Sequence, residues 1–365
     1  SFTWTPAEGG YFQVVGVSAY LKPGESDGDL ARRWTREHGI ATIPMGSFGD
    51  SWEPAVRLCF AKEDATLDRA IELLRAIPAE REPVPLHRSV SANPTTSDLS
   101  ELRVLAVQAD LVWQDPAANR QKMEQTVERE LHEYPADLVV LPEMFTTGFA
   151  MNPEAADVLD SAGQCVTSEW MLALARQHDV AVAGSVAVQT TDGQAFNRMW
   201  FATPEGDLHS YDKRHLFTLA GEDKAYEAGT ERVEFEWRGW RILLQICYDL
   251  RFPGFVRNHG PQPYDLALYV ANWPERRREA WRTLLKARAI ENQCFVVGVN
   301  RSGTDGNGHR YAGDSLILDH AGEALADAGG DGDSKTLRAT LVREDMLAFR
   351  RKLPFLDDAD RFGVR

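Results

Sequence analysis

Residues 241–253 read RILLQICYDLRFP, and the reading of this stretch decides the fold. Ile242, Leu243, Leu244 and Ile246 make a nearly continuous apolar run, the pattern of a strand covered on both faces. The run stops at Cys247, and an Asp, an Arg and a Pro follow at once, which suits a strand-to-helix elbow. A thiol at such an elbow lies close to unpaired backbone N–H groups and the positive end of a helix. Its pKa is therefore expected to be lowered and its thiolate accessible. Cys247 becomes a candidate nucleophile, with a small buried core residue as the plain alternative.

Outward from this strand, the region from residue 101 onward alternates strand and helix patterns. LRVLAVQADL reads as a strand, residues 117–134 as a helix and DLVVLPE, residues 137–143, as a second buried strand. A helix over 168–178 leads to VAVAGSVAV, and a polar turn at Asp192-Gly193 leads to FNRMWFATPEG. Downstream of Cys247, DLALYVANW precedes a helix over 274–292, then FVVGVN and SLILDHAGEAL. Such alternation predicts an α/β fold with helices packed outside sheets. Upstream, GYFQVVGV, a short helix over 30–38 closed by Gly39, IATIPM, VRLCFA and a helix over 65–77 make a small α+β unit. Residues 78–100 then turn to Pro, Glu, Ser, Thr and Asn without periodicity. The expected organisation is an amino-terminal unit over 1–80, a linker over 81–100 and a main domain over 101–365.

The 365 residues carry 40 basic and 55 acidic side chains, a net charge of −15 that repels phosphate backbones and anionic membranes. Nucleic acid and membrane are not expected partners. With 43% hydrophobic residues the chain can bury a sizeable core, yet no apolar run reaches the length of a membrane span. Cys59, Cys165, Cys247 and Cys294 lie far apart, without C-x-x-C or zinc spacing, which argues for reduced, cytosolic thiols.

In open α/β sheets, working residues gather beyond the carboxyl ends of the strands. Glu143 closes DLVVLPE, Cys247 closes RILLQIC, and Lys213 lies in HSYDKRHLF after a strand and hairpin. Singly these read as a helix cap, core filler and a solvated loop lysine. Together they are a thiol nucleophile, a carboxylate to take its proton and an ammonium to stabilise an oxyanion.

LPEMFTTGF, YDKRHLF and CYDLRFP, in this order, resemble the glutamate, lysine and cysteine motifs of the nitrilase superfamily of carbon–nitrogen hydrolases. More narrowly, YVANWPERRREAWRTLLKARAIENQCFVVGVNRSGTDGNGHRYAGDS resembles the omega-amidase branch, which hydrolyses the side-chain amide of 2-oxoglutaramate and 2-oxosuccinamate. The resemblance implies a four-layer α-β-β-α sandwich, pairing into homodimers and a thioester mechanism without cofactor or metal. It implies that the backbone N–H of Tyr248 joins Lys213 at the oxyanion, and that Glu222, in LAGEDKAYEAG, is the family's second glutamate. A 2-oxo acid carboxylate also needs a cation, for which Arg251, Arg276, Arg277 and Arg278 are all available. Other carbon–nitrogen hydrolases, of nitrilase or carbamoylase type, and a catalytically idle module docking a transaminase are the competing readings.

The first 80 residues resemble the carboxy-terminal small domain of fold-type I aminotransferases, on EGGYF, GIATIPMGSF and VRLCFAKEDATLDRAIELL. The resemblance implies that Arg57 stands where that family grips a substrate α-carboxylate. Pyridoxal phosphate is implied only if a complete aminotransferase domain precedes this chain, since the large domain and its Schiff-base lysine are missing. The pairing suggests coupling to a glutamine or methionine transaminase, whose product is the 2-oxo amide.

Overall fold

The computed structural model describes residues 3–4, 12–22, 24–44, 54–59, 64–77, 100–258 and 262–359. Within it the chain separates into two compact units, 1–97 and 98–365. Most of the expected linker, and the ends of GYFQVVGV, IATIPM and VRLCFA, fall outside the described residues.

The first unit runs β1 (Thr3–Trp4), β2 (Phe12–Gly16), α1 (Asp27–His38), β3 (Ile43–Pro44), β4 (Ala55–Cys59) and α2 (Asp64–Ala76). Its strands make an antiparallel sheet of order β1-β2-β4-β3. Helix α1 begins three residues before the apolar pattern, because Ser26 and Asp29 close a capping box. It ends at Gly39, whose φ of +68° is a left-handed conformation that glycine adopts without steric cost. Leu30 and Trp34 of α1 pack with Val15, Val17, Tyr20 and Val56 as this unit's own core.

The second unit continues with β5 (Glu101–Gln108), α3 (Pro116–Glu133), β6 (Leu138–Val140), β7 (Asp157–Val158), α4 (Val166–His178), β8 (Ala181–Gln189), β9 (Ala195–Ala202) and β10 (Leu208–Asp212). Then follow α5 (Glu222–Ala225), β11 (Glu234–Trp237), β12 (Trp240–Ile246), α6 (Pro253–Val256), β13 (Leu266–Ala271), α7 (Arg278–Asn292) and β14 (Phe295–Asn300). The unit closes with β15 (Ser302–Thr304), β16 (Arg310–Ala312), β17 (Leu316–Leu318), β18 (Ala324–Asp327), β19 (Lys335–Val342) and α8 (Arg343–Lys352). One sheet has the order β10-β9-β8-β6-β5-β19, with β7 paired to β8, and the other β11-β12-β13-β14-β17-β18. Strands β5, β6 and β8 are mutually parallel, as are β12, β13 and β14.

The two-residue period of β5 shows how the layers form. Leu102, Val104 and Ala106 point into a core shared with Ile242, Leu244 and Leu268 of the other sheet, while Leu105 and Val107 meet Met123 and Val127 of α3. On the far side of the second sheet, Trp281, Leu285 and Ala289 belong to α7, which packs on β14 and β17. The result is a four-layer α-β-β-α sandwich, with a small α+β unit preceding it. Ile242, Leu243, Leu244 and Ile246 of β12 are all fully buried, worth about 1.5–3 kcal/mol each in transfer free energy. The doubly buried reading of this stretch holds because sheet and helix cover opposite faces. The helix expected over 274–292 begins instead at Arg278, after a short 3-10 turn, Glu275–Arg277. Among the described residues no helix is long and apolar enough to cross a membrane.

Candidate active site

Strand β12 delivers Cys247 to a 3-10 turn, Cys247–Arg251, with the cysteine at φ +46°. Holding a non-glycine residue in this left-handed region costs of order 1–3 kcal/mol, and the strain projects the thiol out of the strand line. Beyond β6, Glu143 precedes another left-handed residue, Met144 at φ +41°. The Met144 N–H donates to Ser185 Oγ at 2.8 Å and the Phe145 N–H to the Ser185 carbonyl at 3.1 Å, so β8 sets the path of this turn. Lys213 directly follows β10, its N–H donating to the Asn197 carbonyl of β9 at 3.0 Å.

Glu143, Lys213 and Glu222 are each completely buried and meet at one point. Lys213 Nζ donates to Glu143 Oε1 at 2.8 Å and to both Glu222 oxygens at 2.9 Å. The Phe217 N–H donates to Glu222 Oε2 at 2.6 Å, fixing that carboxylate from the other side. Two asparagines complete the cage. Asn197 Nδ2 donates to Glu143 Oε1 at 2.8 Å and to Glu222 Oε1 at 3.2 Å, bridging the carboxylates. The Asn272 backbone N–H donates to Glu143 Oε2 at 2.6 Å, while its Nδ2 donates to the Glu143 carbonyl at 2.7 Å.

The Glu143 charge acts on the Cys247 thiol beside this cage. Its pKa is raised well above the usual thiol value, first by burial and then by the Glu143 charge, against which Lys213 pulls the other way. This corrects the expectation of a lowered pKa and an accessible thiolate. The helix-end effect is outweighed because the elbow opens into a turn facing two carboxyl groups in a dry cage. The thiol is therefore held protonated, with the Glu143 carboxylate near enough for its charge to act on it. Burial opposes the charge of Lys213, yet Glu143 and Glu222 together lift its ammonium above the ordinary range and keep it charged. Burial, opposed by Lys213, raises the carboxyl of Glu222.

A cavity of about 130 Å³ opens onto Cys247. Phe149, Phe217, Trp273 and Tyr311 make its apolar walls, with Leu219 at the rim, 77% exposed. Arg251, Arg276 and Arg277 also line it, whereas Arg278 does not. Arg278 is bound instead by Asp314 through two contacts, 2.9 and 2.8 Å, which removes it from the carboxylate-binding candidates. Arg251 lies over the Trp273 ring at 4.8 Å and Arg277 over the Phe217 ring at 5.0 Å. Among the described residues none of these three guanidiniums has a carboxylate partner at ion-pair distance. Tyr248 lines the pocket immediately after the thiol, and Arg57 belongs to β4 of the first unit. Sequence reasoning missed Asn197 and Asn272. The one signal available was an amide side chain inside, or just after, an otherwise apolar strand run.

The carbon–nitrogen hydrolase family model matches residues 103–351. An omega-amidase YafV from Yersinia enterocolitica is 48% identical over 264 residues, covering 72% of this chain and 99% of that protein. A 2-oxoglutaramate amidase from Bacillus subtilis is 36% identical over 257 residues, covering 70% of this chain and 96% of that one. Among solved structures, XC1258 from Xanthomonas campestris, a CN-hydrolase superfamily protein with an arsenic adduct in its active site, superposes with a TM-score of 0.68. It is 42% identical, covering 73% of this chain and 99% of that one.

Proposed function

The chain belongs to the carbon–nitrogen hydrolase family and is an amide-hydrolysing enzyme, and from that premise we propose an omega-amidase acting on 2-oxoglutaramate or 2-oxosuccinamate. The observation that carries this reading is a buried Glu143–Lys213–Cys247 cluster at the floor of a pocket whose mouth holds arginines without carboxylate partners among the described residues. A neutral amide meets the floor, and a carboxylate one short carbon chain away meets the mouth.

In the proposed mechanism Glu143 takes the thiol proton as Cys247 attacks the amide carbon, which avoids a standing thiolate. The oxyanion forms against Lys213 and the Tyr248 N–H. The contacts of Lys213 to three carboxylate oxygens leave little donor capacity free, so it serves chiefly as a fixed positive charge. Glu143 returns the proton to the departing ammonia, leaving a thioester. A water that gives its proton to the same carboxylate then cleaves the thioester, releasing the 2-oxo acid and restoring the thiol. Glu222 and Asn197 hold Lys213 and Glu143 in register throughout.

Arg251, Arg276 and Arg277 are the proposed carboxylate-binding set. An idle docking module would have no use for a strained, desolvated thiol beside a base. The deciding experiment is ammonia release from 2-oxoglutaramate against a panel of nitriles and carbamoyl amino acids. Turnover confined to the latter groups would move the assignment to another branch of the family.

The first unit's four-stranded antiparallel sheet and two helices are compatible with an aminotransferase small domain, in which Arg57 would face a carboxylate. That identity, homodimer formation and coupling to a transaminase supplying the 2-oxo amide belong to the same proposal. Light scattering tests the dimer.

A further inference from the structure

Cys247 and Lys213 arrive from different sheets, on segments distant in sequence, yet catalysis of the proposed kind needs their head groups at a fixed separation. One buried side chain joins the two segments. Asp249 is fully buried, and its carboxylate accepts four hydrogen bonds. Oδ2 takes the Tyr211 hydroxyl at 2.8 Å and the Ile246 N–H at 3.0 Å. Oδ1 takes the His215 N–H at 2.9 Å and lies 2.8 Å from His215 Nδ1. Tyr211 and His215 stand two residues either side of Lys213, while Ile246 and Asp249 bracket Cys247.

Apolar side chains would join these segments without the cost of desolvating a carboxylate. What they would lack is direction. Four donors converging on two oxygens fix both distance and rotation, and every lone-pair position that burial strips of water is filled. The His215 ring adds a lateral stop, stacked on Phe252 at 3.8 Å with 8° between planes. The Tyr211 hydroxyl is held protonated by burial and by Asp249 itself, so it stays a donor. It also accepts the Arg214 N–H at 3.1 Å, extending the tie to the residue following Lys213.

We propose that Asp249 is a positioning residue, which through Tyr211 and His215 sets the register between the Lys213 ammonium and the Cys247 thiol. The proposal rests on the amidase reading of the same site, and concerns turnover rather than substrate binding.

The test compares the full chain with its Asp249→Asn and His215→Phe variants. Asparagine keeps the shape but puts N–H groups where two donors already point, and phenylalanine keeps the stack on Phe252 but loses Nδ1. Expected is a fall in kcat for 2-oxoglutaramate of about 100-fold in Asp249→Asn and about 10-fold in His215→Phe, with KM within about threefold of the parent. Alkylation of Cys247 by iodoacetamide, which needs no substrate assignment, should slow in both. If both variants fold and keep kcat and alkylation rate within about threefold of the parent, or lose only in KM, the proposal is overturned. Should Asp249→Asn not fold, the partly exposed His215→Phe decides by the same criteria. A parent enzyme that releases no ammonia from 2-oxoglutaramate, with alkylation still slowed in the variants, would sink the substrate reading and support the positioning role.

Discussion

The floor and the mouth of the pocket are built on opposite plans. At the floor every charge has a partner within 3 Å and no exposure to water, with Lys213, Glu143 and Glu222 locked by one another and by Asn197, Asn272 and the Phe217 N–H. At the mouth, Arg251, Arg276 and Arg277 keep part of their surface in water, and among the described residues none is paired with a carboxylate, Arg251 and Arg277 lying over aromatic rings. A locked group is suited to chemistry, because it need not reorganise as charge moves. An uncompensated cation is suited to capture, because the ligand supplies the missing partner.

That contrast can be broken by mutation, beginning with the largest effect. Cys247→Ala should abolish turnover, a loss of about 10⁵-fold or more, while the thermal transition stays close to the parent's. Retained activity, or an unfolded protein, would return Cys247 to core packing. Glu143→Gln should lower kcat by about 10³-fold, since the amide can neither take nor return the proton. Lys213→Met should lower it by about 10²–10³-fold, and Lys213→Arg should fail too, because a planar guanidinium cannot occupy the three-oxygen socket. Replacing Arg251, Arg276 or Arg277 singly by Ala tests the mouth. The residue that holds the substrate carboxylate should show a KM raised about 10–100-fold with kcat nearly kept, the signature of lost binding rather than lost chemistry. An equal fall in kcat for all three would erase the distinction between floor and mouth.

Two smaller effects sharpen it. Cys294, whose thiol is pushed up to about 12 mainly by burial, should resist a disulfide reagent in the native state, while exposed Cys59 reacts at once. Mass mapping after partial modification reads this directly. Smallest of all, a chain starting at Ser100 should keep its turnover number within about twofold, since all the pocket residues lie beyond it. Loss of activity would make the first unit part of the hydrolase.

The β12 stretch was legible because double burial leaves its mark in composition, and Glu143, Lys213 and Cys247 because each stands at, or within three residues of, the end of a strand. The thiol's electrostatics were not legible. The elbow predicted a lowered pKa, whereas burial in the assembled fold raises it, helped by carboxyl groups from distant strands and loops. Nor could the four candidate arginines be told apart, because the choice against Arg278 is made by Asp314, 36 residues further on. Asn197 and Asn272 were hidden for the same reason, as an amide in an apolar strand has meaning only once its partners are assembled.

The uneven charge of the pocket has a consequence for what leaves it. On the proposed reading the substrate enters as a monoanion, its neutral amide facing two carboxyl groups and one ammonium. Hydrolysis turns that amide into a second carboxylate at the place already richest in acid, and the product becomes a dianion whose new charge finds no unused cation there. Electrostatic repulsion then ejects the molecule that the arginines drew in. Entry and exit are biased by a single gradient, so the enzyme should tolerate high concentrations of its own 2-oxo dicarboxylate product without stalling.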